Sequence, residues 1–175
     1  LPYACRKLDA WSVWVRGRKE RFDIAAYPAG ATERVLGAIR ALYEAARPAA
    51  NVLETGLTHL NPFIHPPTML LNVGSMERGD RVLFYHEGVT PSVQRLADAL
   101  DRERIALGKA FGIRLPSVAE VLLEHYGHQG ARGSTYREVA GGNPVYRWSE
   151  MPSSVESRYL TEDIPMSLMP ICALA

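Results

Sequence analysis

The five histidines of this 175-residue chain are its natural proton-transfer groups, and their neighbours tell them apart. His125 and His128 flank Gly127 at an expected helix end, where a protonated imidazole would complement the negative end of the macrodipole, a structural or solvated role. His86, in Phe84-Tyr85-His86-Glu87-Gly88, has no evident partner. His59 and His65 bracket Asn61-Pro62, but only His65 enters the first turn of an expected helix, next to Pro66 and Pro67. A general acid or base must be held within hydrogen-bond reach of its target, and a rigid helix-mounted imidazole meets that demand. An isolated imidazole is a poor donor at neutral pH unless a carboxylate stabilises its charged form and fixes its tautomer. The best partner is Asp163, in Arg158-Tyr159-Leu160-Thr161-Glu162-Asp163-Ile164-Pro165, where Arg158 adds a planar fork suited to a substrate carboxylate. On spacing alone a simpler account stays open, with Asp163 as a helix N-cap and Arg158 as an incidental surface cation.

Other chemistries lack their signatures. Gly127-x-x-Gly130-x-x-Gly133 has the wrong spacing for a dinucleotide fingerprint and no strand before it, and no P-loop, GxSxG or HExxH occurs. Cys5 and Cys172 are isolated, which signals neither a metal site nor a disulfide framework and points to a reduced, cytoplasmic setting. Twenty Lys+Arg against nineteen Asp+Glu leave a net charge of +1, so no overall field points to nucleic acid or an anionic membrane. With 47% apolar and 22% charged residues, and no apolar run near the ~18 residues of a spanning helix, the chain reads as a globular polypeptide. Asp101-Arg102-Glu103-Arg104 reads as a solvated helix face or a short intrahelical ion-pair run.

The elements that must position these groups follow from periodicity. Trp11, Val13 and Val15 alternate, as do Phe22, Ile24 and Ala26, and Gly17 to Glu20 between them predict a hairpin over 11–27. From Thr32, a plausible N-cap, the apolar period becomes helical through Ala46, with Pro48 as the stop; residues 51–57 then have strand length and composition. The resulting β-β-α-β segment is of the kind that finishes an α/β domain. Beyond His59 the pattern is helical. Pro66 and Pro67 are tolerable only in a first turn, which puts one helix start close to Pro66 and its end near Leu71. Thr90-Pro91 opens the clearest helix, with Val93, Leu96, Ala97, Leu100, Leu107 and Phe111 on one stripe and Gly112 as its stop. Ser117/Glu120 and Thr135/Glu138 fit capping boxes, Gly127 and Gly141-Gly142 end the short helices these begin, and the tail from Ile164 is expected to be helical.

Taken in order, these segments resemble the opine dehydrogenase family of the octopine and nopaline type. The resemblance rests on Leu1-Pro-Tyr-Ala-Cys-Arg6, Asn61-Pro-Phe-Ile-His-Pro66 with Leu70-Leu-Asn-Val-Gly74, Tyr85-His-Glu-Gly-Val-Thr-Pro91, Asp101-Arg-Glu-Arg104 and Arg158-Tyr-Leu-Thr-Glu-Asp-Ile-Pro165. It implies a mainly α fold: residues 58–175 as a helical substrate-binding domain like the C-terminal domain of 6-phosphogluconate dehydrogenase, preceded over 1–57 by the end of a Rossmann-type domain. It also implies reductive condensation of an amino acid with an α-keto acid, with hydride from the reduced form of an NAD or NADP cofactor. His65 would be the general acid/base, Asp163 its paired carboxylate, Arg158 the anchor of a substrate carboxylate and Asn61 a supporting polar group. The family's glycine-rich phosphate loop is absent from this sequence, and the chain begins at Leu1 and stops after Pro170-Ile-Cys-Ala-Leu-Ala175. It therefore reads as an interior fragment, expected to hold no cofactor tightly and to have little activity alone; a homodimer is allowed. Two other readings stand beside this one. A hydroxyacid or hydroxyacyl dehydrogenase domain would use a similar His-carboxylate pair. A non-catalytic helical binding or dimerisation module would be favoured by a His65–Asp163 separation beyond about 6 Å.

Overall fold

The computed structural model describes residues 2–175, so Leu1 of the expected amino-terminal motif lies outside the described residues. The hairpin over 11–27 does not form. Strand β1 (Tyr3–Lys7) pairs antiparallel with β2 (Val13–Arg18), whereas β3 (Phe22–Ile24) pairs parallel with β4 (Ala46–Pro48). Alternation identifies strands and not their partners. The β1–β2 turn is instead built around Asp9, whose Oδ1 accepts from the Trp11 and Ser12 amides at 2.7 and 2.8 Å. Gly17 sits inside β2 because a Cβ there would come within 2.7 Å of the Val145 methyls; the missing side chain lets the strand lie against the helical body.

Helix α1 (Thr32–Arg40) crosses between β3 and β4, giving the parallel unit of an α/β domain and preserving the β-β-α-β order as β2–β3–α1–β4. Its details differ from expectation. Thr32 is the first helical residue, and its hydroxyl accepts from the Ala26 amide at 3.1 Å instead of capping. The helix stops at Arg40, so Ala46 is a strand residue. Residues 51–57 are not a strand: Asn51 accepts from the Leu53 and Glu54 amides at 3.0 and 3.1 Å and starts helix α2 (Val52–Leu57). A side-chain cap that satisfies orphan amides outweighs a short apolar run.

The remainder is helical. Helix α3 (Asn61–Leu70) begins at Asn61, not near Pro66, and carries Pro66 and Pro67 in its interior. It is buried from Pro62 through Met69, so surrounding helices hold the backbone that the prolines would otherwise break. After α4 (Val73–Glu77) comes α5 (Pro91–Ala110), capped by Thr90 and ended by Gly112 at φ 71°, as expected, although Leu96 and Phe111 stay exposed. Helices α6 (Val118–Tyr126) and α7 (Tyr136–Gly141) start at the two capping boxes and end at Gly127 and Gly142. Helix α8 (Arg158–Thr161) leads through a π-helical stretch (Ile164–Leu168) into α9 (Met169–Leu174). One core, including Phe63, Met69, Phe84, Val93, Leu122 and Val139, joins α3 to α7.

The Asp101–Arg104 run is corrected. Its ion pair exists, but Arg104 is 1% exposed and Asp101 8%, while Arg102 and Glu103 face solvent. The guanidinium donates to Asp101, to the Leu57 carbonyl at 2.9 Å and to the Pro116 carbonyl, and Asp101 Oδ2 accepts from the Val118 amide at 2.9 Å. The pair thus ties α5 to the end of α2 and the start of α6.

Candidate active site

Helix α3 and the chain after α8 bring together the two residues that carry proton-transfer potential. His65 Nδ1 lies 2.7 Å from Asp163 Oδ2 across 98 positions of sequence, and the two residues are 5% and 4% exposed. The separation is far inside the 6 Å beyond which a merely packed pair was expected. Asp163 makes no cap hydrogen bond, and α8 is capped by Ser157, so the N-cap account of Asp163 does not hold. A π-helical turn follows Asp163 directly, an irregularity common where a helix must aim a functional side chain.

Three aromatic rings fix the imidazole. Tyr159 stacks on it with centroids 3.9 Å apart, Phe84 meets it edge-on at 5.6 Å, and the Tyr85 hydroxyl lies 3.0 Å from Nε2. A carboxylate accepts and a phenol donates, so the hydrogen bonds assign the proton to Nδ1 and the lone pair to Nε2. Burial pushes the Tyr85 phenol well above its ordinary value and keeps it a neutral donor. Burial also pulls the His65 imidazole below its ordinary value, against the hydrogen bond and charge of Asp163, and the Arg158 charge pulls the same way. Asp163 favours the charged imidazole, the direction expected of it, but burial outweighs that contribution.

His65, Asn61 and Arg158 line one cleft of about 770 Å³, and Asp163 stands behind His65. Asn61 is half-buried at the start of α3. Arg158 is largely exposed, with a long 3.6 Å contact to Glu162, and keeps most of its fork available. A second cleft of about 920 Å³ lies between β3, α2 and α6 and does not reach the His65–Asp163 pair.

Of the other histidines, His59 and His125 also line the His65 cleft, with burial pulling His59 below its ordinary value, while His86 and His128 lie outside it. His86 Nδ1 meets the Gly141 carbonyl at 3.0 Å, and His128 is 3.6 Å from Glu20. His125 ends α6 as expected but is not the protonated cap: burial first, then the charges of Lys19 and Arg21, push it down to about 3. Cys5 and Cys172 are free and exposed, and among the described residues no group of three or more His, Cys, Asp or Glu could hold a metal. No helix among them is long and apolar enough to cross a membrane.

Sequence reasoning missed Tyr85, Tyr159 and Arg16, which also lines the cleft. Tyr85 and Tyr159 sit inside motifs singled out for His86 and Arg158. Nothing local marks a tyrosine as an imidazole's neighbour, because the contacts span 20 and 94 positions.

The family described as NAD/NADP octopine/nopaline dehydrogenase, alpha-helical domain, matches residues 48–175. An opine dehydrogenase of Arthrobacter sp. (strain 1C) is 38% identical over 174 residues, covering 99% of this chain and 48% of that protein. Vitopine synthase of Allorhizobium ampelinum is 29% identical over 173 residues, covering 93% of this chain and 44% of that protein. Octopine dehydrogenase solved with NADH and L-arginine superposes with a TM-score of 0.73 at 24% identity, over 100% of this chain and 49% of that one, a likeness of fold. An octopine dehydrogenase solved with NADH and agmatine gives 0.71 at 23% identity. The chain spans about half the length of the relatives it matches. With its helical body and a family match over most of its length, the chain belongs to the octopine/nopaline dehydrogenase family.

Proposed function

We propose that these residues form the substrate side of an NAD(P)H-dependent opine dehydrogenase, which joins the amino group of an L-amino acid to an α-keto acid such as pyruvate and reduces the imine to a secondary amine. The observation that carries this reading is the buried 2.7 Å His65–Asp163 pair on the wall of a cleft shared with Arg158. Residues 58–175 are taken as the substrate domain and 1–57 as the end of the nucleotide domain.

A neutral resting His65 suits the first step. It takes a proton from the incoming ammonium group, which frees the nitrogen lone pair to attack the keto carbon and form a carbinolamine. The imidazolium so formed is stabilised by Asp163 and returns that proton to the carbinolamine hydroxyl, which leaves as water. Because the Tyr85 hydroxyl occupies Nε2, the proton passes through that hydroxyl or the hydroxyl moves aside. Arg158 anchors a substrate carboxylate, and Asn61 supports polar groups at the start of α3.

NAD(P)H supplies the hydride that reduces the imine. The residues of this chain do not fit its phosphates: the loop between β3 and α1 reads Ala25-Ala26-Tyr27-Pro28-Ala29-Gly30-Ala31, with one glycine and no G-x-G-x-x-G turn. NADH titrated into the 175 residues alone is accordingly expected not to bind, and turnover belongs to the full-length protein. There, His65→Gln is expected to lower turnover of amino acid plus keto acid about 100-fold or more. Undiminished turnover refutes the role of His65, and equal reduction of pyruvate with and without an amino acid favours a hydroxyacid dehydrogenase instead.

A further inference from the structure

Arg16 is the one residue of β2 without an opposite number on β1: Ala4 faces Gly17 and Cys5 faces Val15, which leaves Arg16 as the extra residue of a β-bulge. Bulges re-aim side chains and cluster beside active sites. This one sends Arg16 into the cleft that holds His65, Asn61 and Arg158. Its Nε and Nη1 are buried and, among the described residues, have no hydrogen-bond partner. The Trp14 ring lies 5.7 Å from the guanidinium carbon, a contact through the ring face that satisfies none of the in-plane N–H groups. Arg16 as a whole is half-buried, but burying two of its guanidinium nitrogens with no hydrogen bond or counter-ion among the described residues is costly in a structural role.

The surroundings sharpen the choice of ligand. Arg6, Lys7, Lys19 and Arg158 line the same cleft, against a single acidic side chain, Glu150. Glu150 is itself held by Arg81 at 2.5 and 2.9 Å, so it does not neutralise Arg16. Burial raises the phenols of Tyr126, Tyr146 and Tyr159, and the Arg16 charge opposes that rise at all three; Tyr159, whose ring stacks on His65, lines the same cleft as Arg16. A dianionic ligand with its reacting nitrogen at His65 would meet one guanidinium from the helical part and another from the hairpin.

We propose that Arg16 binds a carboxylate of the substrates and product, the one that Arg158 does not hold. This rests on reading the cleft as an opine-forming site, whose product is a secondary amine flanked by two carboxylates. The residue arises from the strand before the helical domain, so the hairpin supplies part of the substrate site.

The test uses the full-length protein and iminodiacetate, the smallest secondary amine with two carboxylates, followed by calorimetry. Arg16→Met is expected to weaken binding about 10- to 100-fold, the loss of a charged hydrogen bond. Arg16→Lys, which keeps the charge but not the planar fork, is expected to fall between wild type and Arg16→Met and serves alone if the methionine variant does not fold. In turnover, Arg16→Met should erase the preference for an amino acid over its decarboxylated amine, or for a keto acid over the matching aldehyde, and spare the other preference. Iminodiacetate binding that is absent from wild type, or unchanged in both variants, overturns the proposal. Arg16-dependent binding in a protein that condenses no amino acid with a keto acid upholds the carboxylate site and refutes the opine reading; the reverse pattern refutes only the role of Arg16.

Discussion

Replacing Arg104 by methionine removes a guanidinium that bonds Asp101, the Leu57 carbonyl and the Pro116 carbonyl. Methionine can follow the aliphatic stem but leaves Asp101, 8% exposed, with only the Val118 amide to balance its charge. Breaking a buried ion pair from one side costs about 3 to 5 kcal/mol. For a chain of this size each kcal/mol shifts Tm by about 2 to 4 °C, so the expected fall is about 6 to 20 °C in a thermal melt, with a matching drop in urea midpoint. Most of that cost is an orphaned charge, so Asp101→Leu combined with Arg104→Met should be more stable than Arg104→Met alone, short of wild type because the Val118 amide and two carbonyls still lack partners. Arg102→Ala, on the exposed face of the same run, should stay within about 0.5 kcal/mol of wild type. A fall below about 2 °C for Arg104→Met, or a double variant less stable than the single one, refutes the reasoning.

In the full-length protein, Asp163→Asn withdraws the negative charge that raises the His65 pKa, so the acid limb of the pH–rate profile should move to lower pH and kcat should fall about 100-fold or more. Tyr85→Phe removes a hydrogen bond to the neutral imidazole's lone pair, which should move the same limb to higher pH with about a 10-fold loss of kcat; a shift in one direction for both variants would sink the tautomer assignment. His125 is pushed down to about 3 in the fold, whereas an unfolded imidazole holds its proton below about 6.5. In that window the unfolded state binds more protons, so stability is full above it and falls as pH drops through it. His125→Gln should therefore lose less stability than wild type between about pH 6.5 and 4.5 in urea titrations, above the range where carboxylates add their own loss.

Capping was the most legible part of the fold. Thr90, Ser117 and Thr135 start α5, α6 and α7 as expected because each cap is a hydrogen bond between residues three apart, decided before any tertiary contact forms. The His65–Asp163 contact was only partly legible: spacing alone left Asp163 open as a helix cap, the family resemblance pointed to the pairing, and the fold brings the two within 2.7 Å. Strand pairing was not legible. The alternation of Val13 and Val15 belongs equally to a strand paired forward or backward, and the choice was made by Asp9 in the turn and by Gly17 against Val145. Pro66 and Pro67 misplaced the start of α3, since a local rule cannot see that the whole helix is buried among others.

The residue types and their order contained the family, the helical class and the His65–Asp163 pair. They could not contain the protonation state of His65, the burial of Arg104 or the direction of Arg16. Each of these depends on the dielectric and the neighbours that a residue meets after the chain has folded. Burial outweighs Asp163 at the imidazole, apolar packing and two distant carbonyls enclose Arg104, and a one-residue slip in the β1–β2 ladder turns Arg16 into the cleft.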